Sequence, residues 1–435
     1  MASDILRTIK NRLRNTWPYR ATGEVKCALD RNRLRRQSHN AKVVSLKPEN
    51  PSGKNVLLCY IIDPFLLSPG QPVSTAHSHD WESLQIARTF LEMSYCVDVI
   101  SFLNKEFVPE KEYSVVIDAR YNLERWARSL PKSCLKIMHI DSAHIVYHDA
   151  AEANRLLDVQ RRRRVTLRPR RWEMPNLCIE HADCATILGN EFTMDTFRYA
   201  GKPMYRVPIS SPVLYPWPEE KDFAACRNRF LWLGSGGLIH KGLDLVLEAF
   251  AELPDYHLTV CGPISQERDF EKAYENELYG LPNIRTVGWV DIASGEFVEI
   301  LQSCVGIVYP SCSEGGGGSV INCMHGGLIP VLSYESSVDV EEGYGVILKE
   351  STVSEIKNSV RGLSAFSPEK LENMARQSWG YVRANHTREN FAKTYREVIA
   401  NLIAGGSAIP AAGEGCFVEA VAKAVNRADP DRRSC

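Results

Sequence analysis

Two glycine-rich loops and a group of histidines hold the residues whose types and spacing suit chemistry. The first loop runs Leu231-Trp232-Leu233-Gly234-Ser235-Gly236-Gly237-Leu238-Ile239-His240-Lys241-Gly242. An apolar strand-length run leads into it, and the periodicity of Leu243–Leu253 reads as a helix behind it. The dinucleotide fingerprint G-x-G-x-x-G starts at Gly234 and fails at Ile239. The Walker pattern fails because Gly242 follows Lys241 where Ser or Thr is needed. What remains is a nest of amides at Gly234, Gly236 and Gly237 that can surround an anion, with Lys241 as a point charge at a helix start. A tight turn with a solvated lysine is the plainer alternative.

The second loop lies in Tyr309-Pro310-Ser311-Cys312-Ser313-Glu314-Gly315-Gly316-Gly317-Gly318-Ser319-Val320-Ile321-Asn322, continuing to Gly326-Gly327-Leu328-Ile329-Pro330-Val331. A strand ends, a glutamate stands beside four glycines, and a helix begins. The carboxylate can act as a helix cap. It can also accept two hydroxyl hydrogen bonds from a polyhydroxylated ligand while bare amides accommodate phosphate. In the first half, Lys136-Ile137-Met138-His139-Ile140-Asp141-Ser142 is a strand ending in polar residues, with His144 close behind. His139, Asp141 and His144 suit a polar task at a cleft, or His139 is a packed core histidine. His77-Ser78-His79-Asp80 reads as an acceptor-binding or helix-capping segment with Asp80 as the N-cap. Two histidines two apart without a third ligand do not make a metal site.

These loops need strands to carry them. Short apolar runs at Val56–Ile62, Val97–Phe102, Tyr113–Ile117, Leu135–Ile140, Asp183–Leu188 and Met204–Val207 alternate with helical stretches, which predicts a parallel sheet covered on both faces. Pro208, Pro212, Pro216 and Pro218 then interrupt, and the alternation restarts at Phe230–Leu233, Tyr256–Cys261, Ile284–Val287 and Val305–Tyr309. Helices at 352–364, 368–384 and 388–403 close the second unit. The expected architecture is α/β, two doubly wound Rossmann-like domains facing a cleft. The boundaries read as a basic N-terminal extension (1–54), a first domain (55–208), a Pro-rich linker (209–228), a second domain (229–404) and a loosely ordered tail (405–435). Such sheets bind ligands at the carboxyl ends of their strands.

The chain has 435 residues, 44% of them apolar and 24% charged, with a formal net charge of −1. That composition excludes wholesale disorder and collagen-like repeats. No apolar run reaches the roughly 18 residues of a membrane-spanning helix, and no signal-peptide core opens the chain, so a soluble cytoplasmic protein is expected. The neutrality is a sum of opposites: residues 1–54 hold thirteen Lys/Arg and four Asp/Glu, a balance of +9, and the rest carries −10. Residues 4–17 place Ile5, Ile9, Leu13 and Trp17 four apart in a basic amphipathic helix, docked on its own domain or lying on an anionic membrane surface. Arg155, Arg161, Arg162, Arg163, Arg164, Arg168, Arg170 and Arg171 form a second basic cluster. It is a solvated face, a patch for an anionic acceptor or membrane, or a nucleic-acid surface. Nucleic acid is disfavoured because only Trp172 supplies an aromatic. Thirteen cysteines without a C-x-x-C pair read as reduced structural thiols.

The two loops, in this order and about 70 residues apart, resemble the donor-binding domain of GT-B-fold retaining glycosyltransferases of family 4 (glycosyl transferases group 1). The resemblance covers roughly 229–400 well and is weaker in the first domain. It implies a transferase that moves a sugar from a nucleotide-sugar donor to an acceptor hydroxyl with retained configuration, without metal or organic cofactor. By the same resemblance Lys241 neutralises the donor diphosphate, Glu314 lies by the transferred sugar, and Gly317 and Gly318 approach sugar and phosphate. His139 stands near the reacting sugar and Asp291 near the nucleotide. His77, His79, Asp141 and His144 are left to the acceptor. Two positions depart: Ser235 stands where the family has an arginine, and Asn322 where it has its second glutamate. They keep open a degenerate GT-B protein that binds a nucleotide sugar or partner without transfer. A nucleotide-sugar epimerase is the other alternative. The location implied is cytoplasmic, with a peripheral contact on the inner face of a membrane.

Overall fold

The computed structural model describes residues 40–405 except Glu342. The basic amphipathic helix at 4–17 and the tail beyond Gly405 lie outside the described residues. Seven strands make the first sheet: β1 (Val43–Leu46), β2 (Asn55–Tyr60), β3 (Cys96–Ser101), β4 (Val115–Asp118), β5 (Leu135–Ile140), β6 (Cys184–Ile187) and β7 (Met204–Arg206). Their order is β1-β3-β2-β4-β5-β6-β7, parallel except for β1, which runs antiparallel to β3 with Val43 opposite Ile100. The second sheet contains β8 (Arg229–Leu233), β9 (His257–Cys261), β10 (Ile284–Gly288), β11 (Gly306–Tyr309), β12 (Ile329–Ser333) and β13 (Val346–Leu348). It is wholly parallel in the order β10-β9-β8-β11-β12-β13.

The central strands are continuous apolar runs because helices cover both faces: Val56, Leu57, Leu58 and Cys59 of β2 and Phe230, Leu231 and Trp232 of β8 are all inaccessible to solvent. The edge strand β1 departs from the expected lead-in, since Val43–Leu46 pair with the sheet instead of preceding it. β1 is only Val43-Val44-Ser45-Leu46 with one face exposed, too short and interrupted to read as a buried strand. The described cysteines are free, and all but Cys96 are buried. Among the described residues no helix is long and apolar enough to cross a membrane.

The helices that position the site are α1 (Ser78–Glu92), α2 (Ile145–Arg163), α3 (Leu243–Ala251), α4 (Gly318–His325) and α5 (Arg388–Ile403). Helix α5 starts where the Thr387 hydroxyl accepts from the Asn390 N–H at 3.1 Å. It does not stay with the second sheet. It crosses to α1, where the Phe391 ring meets Trp81 edge-on at 5.9 Å and Arg396 pairs with Glu92 at 2.5 Å. The expected extent of the second domain, to residue 404, therefore ends in a helix that packs on the first unit. Its apolar face is legible as periodicity, but periodicity does not say which sheet it covers.

Helix α2 makes the second crossing, and it redefines the arginine cluster. Arg162 Nη2 donates to Asp244 at 2.6 Å and Nε to Glu248 at 2.8 Å, both on α3. Arg163 pairs with Glu277, Arg170 with Asp269 at 2.5 Å, and Arg155 Nη2 donates to the Pro310 carbonyl at 2.8 Å. Four of the eight arginines thus clamp the first unit to acids and a carbonyl of the second. Those four are spent on the join between the units, while Arg161, Arg164 and Arg168 remain exposed. Arg161 pairs locally with Asp158.

Candidate active site

The carboxyl ends of β2, β4 and β5 face those of β8 and β11 across a cleft of about 440 Å³. From the second unit, Ser235, Lys241, Tyr309, Glu314, Gly315 to Ser319 and Asn322 line it; from the first come Asp63, His77 to Asp80, Phe102, Arg120, Asp141 and Arg171. Its centre is a tight polar knot. Lys241 Nζ lies 2.6 Å from Glu314 Oε1 and 2.9 Å from the Tyr309 hydroxyl. The same Oε1 accepts from Tyr309 at 2.8 Å and from Ser311 at 3.0 Å. Burial works against the Glu314 charge, but Lys241 at contact distance and Arg171 nearby outweigh it, holding the carboxyl far below the usual carboxylate range. Glu314 is therefore ionised in the cleft. Helix α4 points its first amides at the cleft floor, where Gly318 and Ser319 have no intrahelical acceptor.

The glutamate's own backbone is wedged between the units. Thr193 of the first unit donates to the Glu314 carbonyl at 3.1 Å. A Cβ on Gly315 would stand 2.2 to 2.3 Å from backbone atoms of Asp141 and Ser142, so only glycine permits this approach. The linker is tied in as well. Glu82 of α1 accepts from the Ser210 N–H at 2.8 Å and its hydroxyl at 2.9 Å, and Ser211 donates to Asn322 at 2.9 Å.

Residues 226–379 match the family model described as Glycosyl transferases group 1. No curated protein matches the chain. Solved structures do. Sucrose-phosphate synthase from Thermosynechococcus elongatus aligns over 81% of this chain and 100% of its own, at 14% identity and a TM-score of 0.59. Anabaena HepE in complex with UDP-glucose aligns over 81% and 99%, at 14% identity and a TM-score of 0.51. A glycosyltransferase from Rickettsia africae aligns over 80% and 100%, at 10% identity and a TM-score of 0.52. At these identities the likeness is one of fold, and the fold is GT-B: two Rossmann-like units facing a cleft.

The segment that matches the family model supplies the knot, and the structure brings Ser235, Lys241, Glu314, Gly317, Gly318 and Asn322 to the cleft together with His77, His79 and Asp141. It does not bring the rest. His139 is fully buried between Tyr60 and Tyr395 of α5, its Nδ1 bonded to Thr186 at 2.8 Å. Burial pulls its pKa down to about 4, so it is a neutral core histidine behind the cleft wall. His144 is the N-cap of α2, with Nε2 bonded to Tyr199 at 3.0 Å, and lies outside the cleft lining. Asp291 is exposed and accepts from the Ala293 N–H in a turn ahead of a helix. The nest is filled from within: Glu267 Oε1 accepts from the Gly237 N–H at 2.6 Å and the Leu238 N–H at 3.3 Å, while the Gly234 N–H serves Cys261. Gly234, Gly236 and Gly237 thus present no open anion nest, because a carboxylate thirty residues on already occupies it.

On the acceptor side, His79 Nδ1 bonds Glu82 at 2.9 Å. Burial lowers the pKa of His79, but that carboxylate more than offsets it and holds the imidazole above its ordinary value. His77, not Asp80, takes the N-cap position of α1, and Asp80 falls in the first turn. Asp141 is paired with Arg120 at 2.6 Å. Among the described residues no group of three His, Cys, Asp or Glu side chains is arranged to hold a metal ion. Arg120, Tyr309 and Arg171 are cleft residues that sequence reasoning did not single out for the site. Arg120 sits two residues past a strand end, which is a usable signal; Arg171 was hidden in the basic cluster.

Proposed function

We propose that the protein is a metal- and cofactor-independent glycosyltransferase that moves a sugar, of the hexosyl type, from a nucleotide-sugar donor to an acceptor hydroxyl with retention of configuration. The observation that supports this most is the cleft itself, where the Lys241–Glu314 knot and the α4 N-terminus of a group 1 segment face a polar wall of the first unit. In this reading the donor diphosphate lies by Lys241 and the first amides of α4, which stabilise the charge that builds on the leaving group. Glu314 accepts sugar hydroxyls, and Asn322 orients the ribose. The bond from the anomeric carbon to the diphosphate oxygen breaks as the acceptor oxygen bonds to that carbon on the same face. The acceptor proton passes to the departing phosphate oxygen. His77, His79 and Asp141 hold the acceptor. A cytoplasmic location with peripheral membrane contact belongs to the same reading.

Glu267 in the nest, with Ser235 and Asn322, favours one other reading, a GT-B protein that binds a nucleotide sugar without transfer. Ligand-observed NMR against a panel of nucleotide sugars, then assay of nucleoside diphosphate release with the best binder, separates them. Transfer predicts release that falls about 10²- to 10³-fold in Lys241→Ala. Binding without release supports the second reading, and no binding by any nucleotide sugar refutes both.

A further inference from the structure

Three cationic side chains reach the cleft, and two are already matched. Lys241 is paired with Glu314 at 2.6 Å and Arg120 with Asp141 at 2.6 Å. Arg171, which lines the same cleft from the first unit, is not. Among the described residues no carboxylate, carbonyl or ring engages its guanidinium, and its Nε is buried without a hydrogen-bond partner. Its placement is nevertheless rigid. Both oxygens of Glu152 accept from its backbone N–H at 3.1 Å, and His148 Nε2 donates to its carbonyl at 2.8 Å. Its Cγ and Cδ lie on Gly237 of the second unit, 2.5 and 2.8 Å from where a Cβ would stand. Any other residue at 237 would push the guanidinium away.

Arg171 acts on Glu314 only through space, so its guanidinium donors are free to meet an arriving anion. Its fork suits phosphate oxygens better than an ammonium does. On the facing loop, the position that shares the cleft with Lys241 is Ser235, which is exposed and carries no charge. We infer that Arg171 is the second cationic ligand of the donor diphosphate, contributed by the first unit across the cleft in place of a cation at Ser235. The inference rests on the nucleotide-sugar reading above. It makes donor binding a closure event, since Lys241 grips from one unit and Arg171 from the other while the arginines of α2 hold the two together.

Calorimetric titration of the full chain with UDP, GDP and ADP tests it. Arg171→Gln keeps the Cγ that rests on Gly237, so the fold is retained. Affinity for the tightest of the three should fall about 10- to 100-fold, the loss of a charge-assisted contact. Adding Ser235→Arg to Arg171→Gln should recover 10-fold or more, a rescue that a merely structural role would not show. If Arg171→Gln melts early, Ser235→Arg alone decides: a change under 3-fold supports the inference, and a 10-fold gain means the second cation was missing and overturns it. Arg171→Gln binding like the wild type while Lys241→Ala does not overturns this inference and leaves the nucleotide-sugar reading standing. A wild type that binds none of the three overturns both.

Discussion

Truncating Arg162 should weaken the join between the two units by about 2–3 kcal/mol, more than an exposed ion pair would allow. Asp244, the second residue of α3, is inaccessible to solvent, and its Oδ1 has no hydrogen-bond partner. Its other oxygen rests on Arg162 at 2.6 Å. Removing one partner of a buried pair costs about 3–5 kcal/mol. Arg162 keeps 30% of its side chain exposed, so water reaches the gap and the lower part of that range is discounted to about 2–3 kcal/mol. The helix N-terminus returns about 0.3–1 kcal/mol to the stranded carboxylate. A double-mutant cycle of Arg162→Ala and Asp244→Asn, read by urea denaturation at pH 8, should show a coupling above about 1 kcal/mol. Burial already raises the Asp244 carboxyl against the pull of Arg155 and Arg162. Without Arg162 it neutralises more readily, so the penalty should shrink at pH 5. Small-angle scattering should show a larger radius for Arg162→Ala. A coupling below about 0.5 kcal/mol, the worth of an exposed pair, would refute the clamp.

Gly315→Ala places a Cβ 2.2 Å from the Asp141 carbonyl carbon, so the units must part by a fraction of an ångström or more. Turnover should fall about 10²-fold with little change in the melting temperature; wild-type kcat/KM in this variant would count against a closed cleft as the active form. Burial holds the wholly buried His139 and His325 and the nearly buried His386 at a pKa of about 4, below the ordinary value of 6.5. The unfolded chain binds more protons than the folded one between those values, so stability is full above pH 6.5 and drains as pH falls towards 4. Up to three protons give a slope approaching about 4 kcal/mol per pH unit. Urea midpoints that stay constant from pH 7 to 5 would show that these histidines are solvated.

The sequence by itself determined most strands of the two sheets and the two loops that meet at the cleft, but not the order of the strands within each sheet. Each is a local record: strands buried on both faces appear as unbroken apolar runs such as Val56 to Cys59, and glycines beside Lys241 and Glu314 mark where strands β8 and β11 release the chain. Lys241 and Glu314 were legible as site residues because their loops are, although their direct contact at 2.6 Å was not. The short edge strand β1, four residues with one exposed face, left no such record. What only the tertiary structure decided is who pairs with whom. Arg162 meets Asp244 82 residues away, and Arg163 meets Glu277 114 away, so half of a cluster that composition counts as free positive charge is a clamp between the units. The Gly237 amide is given to Glu267, His139 is enclosed by a helix from the far end of the chain, and the Arg171 Nε is left without a hydrogen-bond partner at the cleft. Hydrophobic burial acts on each segment alone and so is written along it. Charge pairing and competition for an amide depend on distance in space, which periodicity and spacing do not encode.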